Sequence, residues 1–445
     1  MMLENVVNDV FTGVYRVKLS LLYYDDGIRV PLTLAQPKMN RKLGILDDES
    51  VLESERSANN SQKNGALSFD APADLVIPIA DDGDKGFWFR IQSDSDIHSK
   101  KIRIPPNTRR AVLELCLSFH GDDEFWYSNP PDAYIILNNL STRRGHGAFR
   151  EVYVAIDGNF VASEIPFPVI FTGGINPLFW EPAVAIGAFN LPSYDVELTP
   201  FLGLLLDGKH HDFQLGVSEA VSFWLLGANL HLWLDPHLMK VEAKSVVYQA
   251  PTLSVERQSE FKMLDGSFEI EGERKTRVAG WVNSGDGNLT THMSRRIKFK
   301  SSISFQKNGT SKLVKQKIKV KTDVRVLSHT GGLISRSSVK RKYPLNIITS
   351  TLPGKDKDTY LIMTNVSHAL KEKLRTRGDQ LSSVSNSQVS GGWMVVKDHS
   401  VSSGAADTQQ ALSHRKGRSC YSRTIAAANG KVLTDQSSDA CEASW

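Results

Sequence analysis

Residues 151–165 read EVYVAIDGNFVASEI, and this stretch decides the predicted fold. Two runs rich in β-branched and aromatic residues flank Asp157-Gly158, a dipeptide that suits the tight turn of a β-hairpin. A hairpin joins antiparallel strands directly, whereas parallel strands need a long crossover connection. The stretch therefore predicts an antiparallel sheet.

Similar short apolar runs, separated by turn residues, continue on both sides of this hairpin. They are DLVIPIA, GFWFRIQ, KIRIPP, RAVLELCLSF, DAYIIL, YDVELTPFL, DFQLGV and VSFWLLGANLHLWL. A succession of strands without helical crossovers is typical of an all-β protein. We expect an antiparallel jelly roll or β-sandwich over residues 67–237.

The rest of the chain divides into four further segments. Residues 1–35 contain one strand-like run, and residues 36–66 are polar and without pattern, which predicts a linker or mobile loop. Residues 238–381 are more basic but keep strand-like runs, which predicts a second, sandwich-like β domain. Residues 382–445 are rich in serine and glycine and predict a loosely ordered tail.

The composition gives little sign of a nucleic-acid or membrane partner. Of the 445 residues, 40% are hydrophobic and 23% are charged, and the net charge is only +4. The most apolar run, residues 223–234, is too short for a membrane span and contains Asn and His. We therefore expect neither nucleic-acid binding nor membrane insertion.

Four lysines at alternate positions, 315, 317, 319 and 321, are predicted to lie on one face of a strand. Such a face is typical of a solvated sheet surface whose charges discourage pairing with other sheets. A polyanion-binding surface is the less favoured alternative.

A candidate site follows the strand RAVLELCLSF. Residues 120–131 read HGDDEFWYSNPP, in which three consecutive acids precede three consecutive aromatic residues. Neighbouring carboxylates raise each other's pKa, which suits acid or base catalysis, and aromatic faces suit the C–H groups of a sugar ring. An acidic turn above core aromatics would give the same sequence, so the residues alone leave both interpretations open.

Two other segments carry candidate site residues. GGINPLFWEP, residues 173–182, presents Trp180 and Glu181 on a loop fixed by glycine and proline, although such loops are more often structural. STRRGHGAFRE, residues 141–151, includes Arg150, and a guanidinium can stabilise an oxyanion. A connection with solvated arginines is the slightly favoured alternative there. No zinc spacing, phosphate loop or nucleophile elbow is present in the sequence, so no cofactor is expected.

The cysteines and the sequons give weaker signals. Cys420 and Cys441 bracket a polar segment and either form a disulfide or remain thiols. Cys116 lies in an apolar run and is predicted to be a buried small hydrophobe. The predicted N-glycosylation sites are Asn59, Asn139, Asn288, Asn308 and Asn365.

Four stretches together resemble a known family. They are LVIPIADDGDKGFWFRI, GDDEFWYSNPPDAYI, EVYVAIDGNFVASEIPFPVIFTGGINPLFWEP and LGANLHLWLD. They resemble the plant and fungal peptide-N4-(N-acetyl-β-glucosaminyl)asparagine amidase A family, and the resemblance covers almost the whole chain. It implies a metal-independent hydrolase that cleaves the amide bond between asparagine and the first N-acetylglucosamine of an N-glycan. It also implies an N-glycopeptide partner and a place in the secretory pathway, in the vacuole or the extracellular wall, although the N-terminus shows no signal peptide.

The family looks like a distant relative of bacterial glycoamidases, which have two adjacent jelly rolls and an active site at their junction. Their second jelly roll offers an acid before an aromatic residue, just after a strand opened by a Pro-Asn-Thr turn. Because residues 106–108 are Pro-Asn-Thr, the resemblance assigns a catalytic role to Glu124, with Asp123 as the alternative. The substrate-binding residues proposed with them are Trp126 and Trp180 as sugar platforms, and Asp122, His120, Arg150 and Glu181.

The start of the chain departs from this pattern. The principal catalytic aspartate of the bacterial relatives lies in an aromatic-Asp-Arg motif of the first jelly roll, and no such motif precedes residue 67. The run DVFTGVYRVKLSLLYY looks like only the last strand of that jelly roll, so we expect most of it to be missing. Two hypotheses follow: an amidase, associated with a chain that supplies the missing half, or a catalytically incomplete glycan-binding remnant.

Overall fold

The structure is a computed structural model that describes residues 72–81, 88–376 and 381–441, together with Thr12 and Lys18. The predicted strand remnant over residues 1–35, apart from those two residues, and the predicted linker over residues 36–66 lie outside the described residues.

Two antiparallel sheets between residues 75 and 234 share one hydrophobic core. Their strands are β1 (Leu75–Ile79), β2 (Phe89–Ile91), β3 (His98–Ile102), β4 (Thr108–Phe119), β5 (Glu151–Ile156), β6 (Asn159–Glu164), β7 (Ser193–Glu197), β8 (His211–Ser218) and β9 (Trp224–Leu234). One sheet has the order β1-β9-β4-β7, with β2 also paired to β9, and the other has the order β3-β8-β5-β6. The predicted all-β, antiparallel architecture is confirmed.

The hairpin from which the fold was predicted joins β5 to β6. Asp157 and Gly158 have φ values of 50° and 78°, which is the left-handed backbone that a two-residue hairpin turn of this type requires. Residues 152–156 pair with residues 159–164 in antiparallel register. The hairpin predicted from the Asp157-Gly158 dipeptide is therefore present in the sheet.

Two short helices, α1 (Asp132–Leu137) and α2 (Leu202–Leu205), interrupt the strands. The prediction of a strand at DAYIIL is wrong, since these residues form α1. Asp132 lies in the first turn, where a carboxylate interacts favourably with the helix dipole and favours a helix start. In the part of the chain that the structure describes, no helix is long and apolar enough to cross a membrane.

A single large sheet follows the first two. Its 11 strands are β10 (Glu242–Gln249), β11 (Ser254–Lys262), β12 (Asp265–Ser284), β13 (Gly287–Gln306), β14 (Ser311–Ser328), β15 (Leu333–Pro353), β16 (Thr359–Thr376), β17 (Leu381–Lys397), β18 (Ser400–Lys416), β19 (Ser419–Ala428) and β20 (Lys431–Ser438). From β12 to β20 each strand pairs with the next along the chain, while β10 and β11 both pair with β12. The C-terminal region is one sheet, so the predicted sandwich-like domain over residues 238–381 is wrong.

The predicted loosely ordered tail over residues 382–445 is also wrong, because β17 to β20 extend the same sheet to residue 438. Small polar residues are buried there and form hydrogen bonds with each other. The hydroxyls of Ser390 and Thr408, for example, are 2.8 Å apart and buried. A disulfide joins Cys420 to Cys441, and Cys116 is half-buried, not fully buried as predicted.

Apolar and charged contacts join the large sheet to the sandwich. Phe299 and Tyr343 of the sheet pack against Phe149 and Phe167, with ring centroids 5.2 and 5.3 Å apart. The buried carboxylate of Glu164 on β6 accepts hydrogen bonds from Arg295 and Arg341 of the sheet. Glu151 on β5 pairs with Arg274 at 3.2 Å. The core is therefore continuous between the two regions.

Candidate functional site

Strand β4 carries the acid and aromatic motif to one end of the sandwich. It lies between β9 and β7 in the middle of its sheet, and the chain leaves it at Phe119 to form two 3-10 turns, Gly121–Asp123 and Trp126–Ser128. The backbones of His120 and Phe223 exchange hydrogen bonds of 2.9 and 3.1 Å. The motif is therefore fixed against the segment that enters β9.

Gly121 is required by this close approach. It has φ of +58°, and a Cβ atom there would lie 2.8 Å from the carbonyl oxygen of Ser222. Gly158 provides a matched comparison, since it has φ of +78° but open space around the same position.

We expect Gly121→Ala to lower the free energy of unfolding by about 2–3 kcal/mol, because backbone strain and a steric clash combine. Gly158→Ala should cost only about 1 kcal/mol, from strain alone. Urea unfolding of both variants measures the difference. Equal losses would show that the contact with Ser222 is not constrained.

Asp123 is the most deeply buried acid of the motif. Its Oδ2 accepts hydrogen bonds from Arg150 Nε at 2.8 Å, the Val221 backbone at 2.9 Å and Trp224 Nε1 at 2.7 Å. Its Oδ1 accepts from Arg150 at 2.7 Å and from Asn129 at 3.2 Å. Both the Asp123 and the Arg150 side chains have 0% exposure. A carboxylate enclosed by five donors cannot reach a substrate.

The predicted catalytic alternative Asp123 and the predicted substrate-binding residue Arg150 are therefore wrong. The remaining guanidinium hydrogens of Arg150 are donated to the backbone carbonyls of Gly145, Gly147 and Phe149. These contacts tie the segment of residues 145–150 to the motif. The buried Asp123–Arg150 pair therefore stabilises the position of the motif.

Glu124, directly after Asp123, lies at the surface of the same turn. Its side chain is half-buried, and burial raises the pKa of its carboxyl group, while the nearby Arg144 guanidinium opposes the rise. Asp122 is also half-buried, and its backbone N–H donates to Ser222 at 2.7 Å. Glu124 is thus accessible and holds its proton more firmly than an ordinary glutamate.

Half-buried aromatic rings form a band beside these two acids. The His120 ring stacks between Phe171 and Phe223, with centroids 5.4 and 5.2 Å apart. Burial, and secondarily Arg90, lowers the pKa of His120, which keeps the imidazole neutral near pH 7. The Phe125 ring and the Phe171 backbone carbonyl both lie close to Gly174. We call His120, Phe125, Phe171 and Phe223 the aromatic band.

Guanidinium groups flank both ends of the aromatic band. Arg90 lies 3.7 Å from the Phe223 ring centroid, and Arg144 lies 5.2 Å from that of Phe125. Both arginine side chains are exposed. The surface therefore combines the edges of stacked aromatic rings with two carboxyl groups and two cations, which is suited to a ligand with apolar C–H groups and many hydroxyls.

The predicted sugar platforms Trp126 and Trp180 do not belong to this surface. Trp126 has 0% exposure and packs against Phe119 and Tyr127. Trp180 has 4% exposure, and its Nε1 donates to the Gly174 carbonyl at 2.9 Å. Both predictions are wrong, because the 3-10 turns direct these indoles into the core.

Glu181 is exposed at the end of the turn Pro177–Trp180. That turn is held by the large sheet, since Thr408 Oγ1 donates to the Phe179 carbonyl at 2.7 Å. Of the sequons, Asn139, Asn308 and Asn365 are exposed and Asn288 is half-buried, and Asn59 lies outside the described residues. Substrate binding by Glu181 and glycosylation of these asparagines stay predictions.

A polar cleft of about 340 Å³ opens at the far end of the motif. His146 is one of its lining residues, with its backbone N–H donating to Asp132 at 2.9 Å and its ring nitrogen 3.2 Å from the Glu219 carbonyl. Arg257 of β11 forms an ion pair with Glu219. Sequence reasoning missed Asp132, Glu219 and Arg257, because residues so far apart along the chain carry no shared pattern.

Among the described residues, no group of three or more His, Cys, Asp or Glu side chains is arranged to hold a metal ion. The chemistry available at the surface is that of carboxylates, an imidazole and guanidinium groups. Such groups transfer protons and bind hydroxyls and carbonyls.

Comparison of the sequence with known proteins identifies the family of this chain. Residues 1–251 match the family model described as peptide N-acetyl-beta-D-glucosaminyl asparaginase amidase A. The chain belongs to this amidase A family. A curated relative from Prunus dulcis, named peptide-N4-(N-acetyl-beta-glucosaminyl)asparagine amidase A, is 40% identical over 441 residues, which cover 99% of this chain and 72% of the relative. No solved structure matches the chain significantly. The resemblance identified from the motifs is confirmed, and the amidase A family match includes β4, the motif and the aromatic band.

Proposed function

We propose that this chain hydrolyses the amide bond between an asparagine side chain and the first N-acetylglucosamine of an N-linked glycan. The observation that carries the proposal is the 40% identity over 99% of the chain to a relative named for this reaction. The surface that contains Glu124 and the aromatic band supports it, because it offers a proton-transfer group on the same surface as half-buried aromatic rings.

We propose Glu124 as the general base and acid of this hydrolysis. Its carboxylate takes a proton from a water molecule, and the water oxygen forms a bond to the carbonyl carbon of the asparagine side chain. The carbon–nitrogen bond then breaks as the same proton passes to the departing nitrogen. The products are an aspartate residue and a glycosylamine, so all atoms of the water and the amide are accounted for. The raised pKa of Glu124 strengthens its carboxylate as the base that takes the proton from water.

The aromatic band is proposed to seat the innermost sugar. The stacked rings of Phe171, His120 and Phe223 present apolar ring edges that can contact the C–H groups of a pyranose. The exposed guanidinium of Arg144 lies near the Glu124 carboxyl group and is a donor for the carbonyl oxygen as negative charge develops there. Asp122 accepts hydrogen bonds from sugar hydroxyls in this arrangement.

The test is hydrolysis of a defined glycopeptide in water enriched in oxygen-18. We expect free glycan and a peptide in which aspartate replaces asparagine and carries one heavy oxygen, detected by mass spectrometry. Cleavage between sugars would leave N-acetylglucosamine on the peptide and contradict the proposed bond. Binding of the glycopeptide without product would contradict the proposed turnover and support a glycan-binding protein instead.

We also propose that the protein works in the secretory pathway, in a vacuole or outside the cell. The disulfide between Cys420 and Cys441 supports this, since disulfides persist in oxidising compartments. The exposed sequons at Asn139, Asn308 and Asn365 are positioned for glycosylation there.

A further inference from the structure

The outward face of the large sheet carries a regular array of lysines. Lys315, Lys317, Lys319 and Lys321 are exposed at alternate positions of β14, while Gln316, Ile318 and Val320 between them are buried. The lysines that continue the array on the neighbouring strands are Lys340 and Lys342 of β15 and Lys371 and Lys373 of β16. We call these eight residues the lysine face.

Strand register places these side chains in rows across the sheet. Lys319 lies opposite Lys342, and Lys342 lies opposite Lys371. The next row is Lys321, Lys340 and Lys373. Neighbouring strands are about 4.8 Å apart, and alternate residues along one strand are separated by about 7 Å. The positive charges therefore form a two-dimensional grid.

Carboxylates border the grid at two places: Asp323, two residues beyond Lys321 on β14, pairs with Arg325 and Arg336, and two glutamates lie beyond β13. On β13, Arg296 and Lys298 pair with Glu273, and Lys300 pairs with Glu271. Within the described ranges, the lysine face itself forms no ion pair with a carboxylate. Partial burial, and then the neighbouring ammonium groups of Lys317, Lys371 and Lys319, lowers the pKa of Lys342. The array is self-repulsive, and a bound polyanion would relieve that repulsion.

We propose that the lysine face binds a linear anionic polysaccharide with one carboxylate on each sugar. The length of a sugar residue is comparable to the strand spacing, so successive carboxylates meet successive lysines of a row. Ser383 and Ser385 of β17 lie opposite Lys373 and Lys371 and offer hydroxyl groups beside the array. This surface is separate from Glu124 and the aromatic band, and the proposal does not depend on the amidase reaction.

Other polyanions fit the lysine face less well. Its outward neighbours Pro344, Asn346, Ser383 and Ser385 include no aromatic ring on which bases could stack. The nearest exposed apolar residue on this face is Ile348, and a single such side chain is less than interfacial membrane binding uses. These features favour a carboxylated sugar polymer over nucleic acid or membrane.

Calorimetry of the full chain with de-esterified polygalacturonate oligomers tests the proposal. We expect binding that weakens with added salt and is absent for the fully methyl-esterified oligomers, which have the same backbone without charge. The triple variant Lys319→Gln/Lys342→Gln/Lys371→Gln should bind about tenfold more weakly, because each lost charge contact weakens polyelectrolyte binding severalfold. Hydrolysis of a small glycopeptide should be unchanged in this variant.

A matched control removes the same number of charges elsewhere. Lys355, Lys357 and Lys431 are exposed lysines outside the lysine face, and their triple Gln variant should bind the oligomers within about twofold of the original chain. Equal weakening by both triple variants would overturn the proposal, because only net charge would then matter. Tighter binding to phosphatidylserine vesicles or duplex DNA than to polygalacturonate would overturn it as well.

Discussion

Replacing Asp123 by asparagine is expected to lower the free energy of unfolding by about 3–5 kcal/mol, because it leaves the Arg150 guanidinium buried without its counter-charge. Asp123 and Arg150 are both fully buried and joined by two hydrogen bonds of 2.7 and 2.8 Å. The asparagine side chain would also present an NH₂ group to donors such as Trp224 Nε1, which now donates to the carboxylate at 2.7 Å.

Asp122→Asn is the matched control for this substitution, since it makes the same chemical change one residue earlier in the chain. Asp122 is half-buried, and its contact with Ser222 is made through the backbone. We expect a change within about 0.5 kcal/mol. Urea denaturation followed by tryptophan fluorescence measures both. If Asp123→Asn does not fold while Asp122→Asn remains soluble, the loss of stability is larger than expected but in the predicted direction. Equal stability of the two variants would contradict the prediction.

Alternation made much of the fold predictable from the sequence. In β14 the strict exchange of Lys with Gln, Ile and Val required a strand with one charged face, and the structure has that face. The Asp157-Gly158 turn required a hairpin, and β5 and β6 form it. The last four strands were not predictable in this way, because most of their buried positions hold serine, threonine or alanine, which do not differ enough in hydrophobicity from the exposed ones.

The candidate site was only partly predictable, because adjacent residues of the same type have opposite environments. Asp123 points into the core and Glu124 points to the surface, and the 3-10 turn Gly121–Asp123 sets these two directions. The donors that trap Asp123 come from Arg150, Val221 and Trp224, 27 to 101 residues away. No local sequence pattern predicts partners so far apart in the chain. The same turns sent Trp126 inward and left Phe125 at the surface.

Replacing Glu124 by glutamine is expected to reduce the rate of glycopeptide hydrolysis by about 10²–10⁴-fold, the usual contribution of a general acid or base. Stability should not fall with it. The pKa of Glu124 is raised by burial, so the folded chain holds this proton more firmly than the unfolded chain, and the ionised form destabilises the fold at neutral pH. Glutamine removes that charge, so the free energy of unfolding should be unchanged or slightly higher.

The pH profile separates a proton-transfer role of Glu124 from simple contact with the substrate. The base form of Glu124 is lost as pH falls through its raised pKa, so kcat/KM should decline on the acid side at a higher pH than an unperturbed glutamate would give. Arg144→Gln removes the guanidinium that opposes the rise in pKa, and the acid limb should therefore move to higher pH. Asp122→Asn should leave the position of the limb unchanged. Two results would contradict this role: a folded Glu124→Gln variant whose rate stays within tenfold of the original, or one that keeps the acid limb. Either result would show that another group transfers the proton, because the glutamine side chain does not titrate in this pH range.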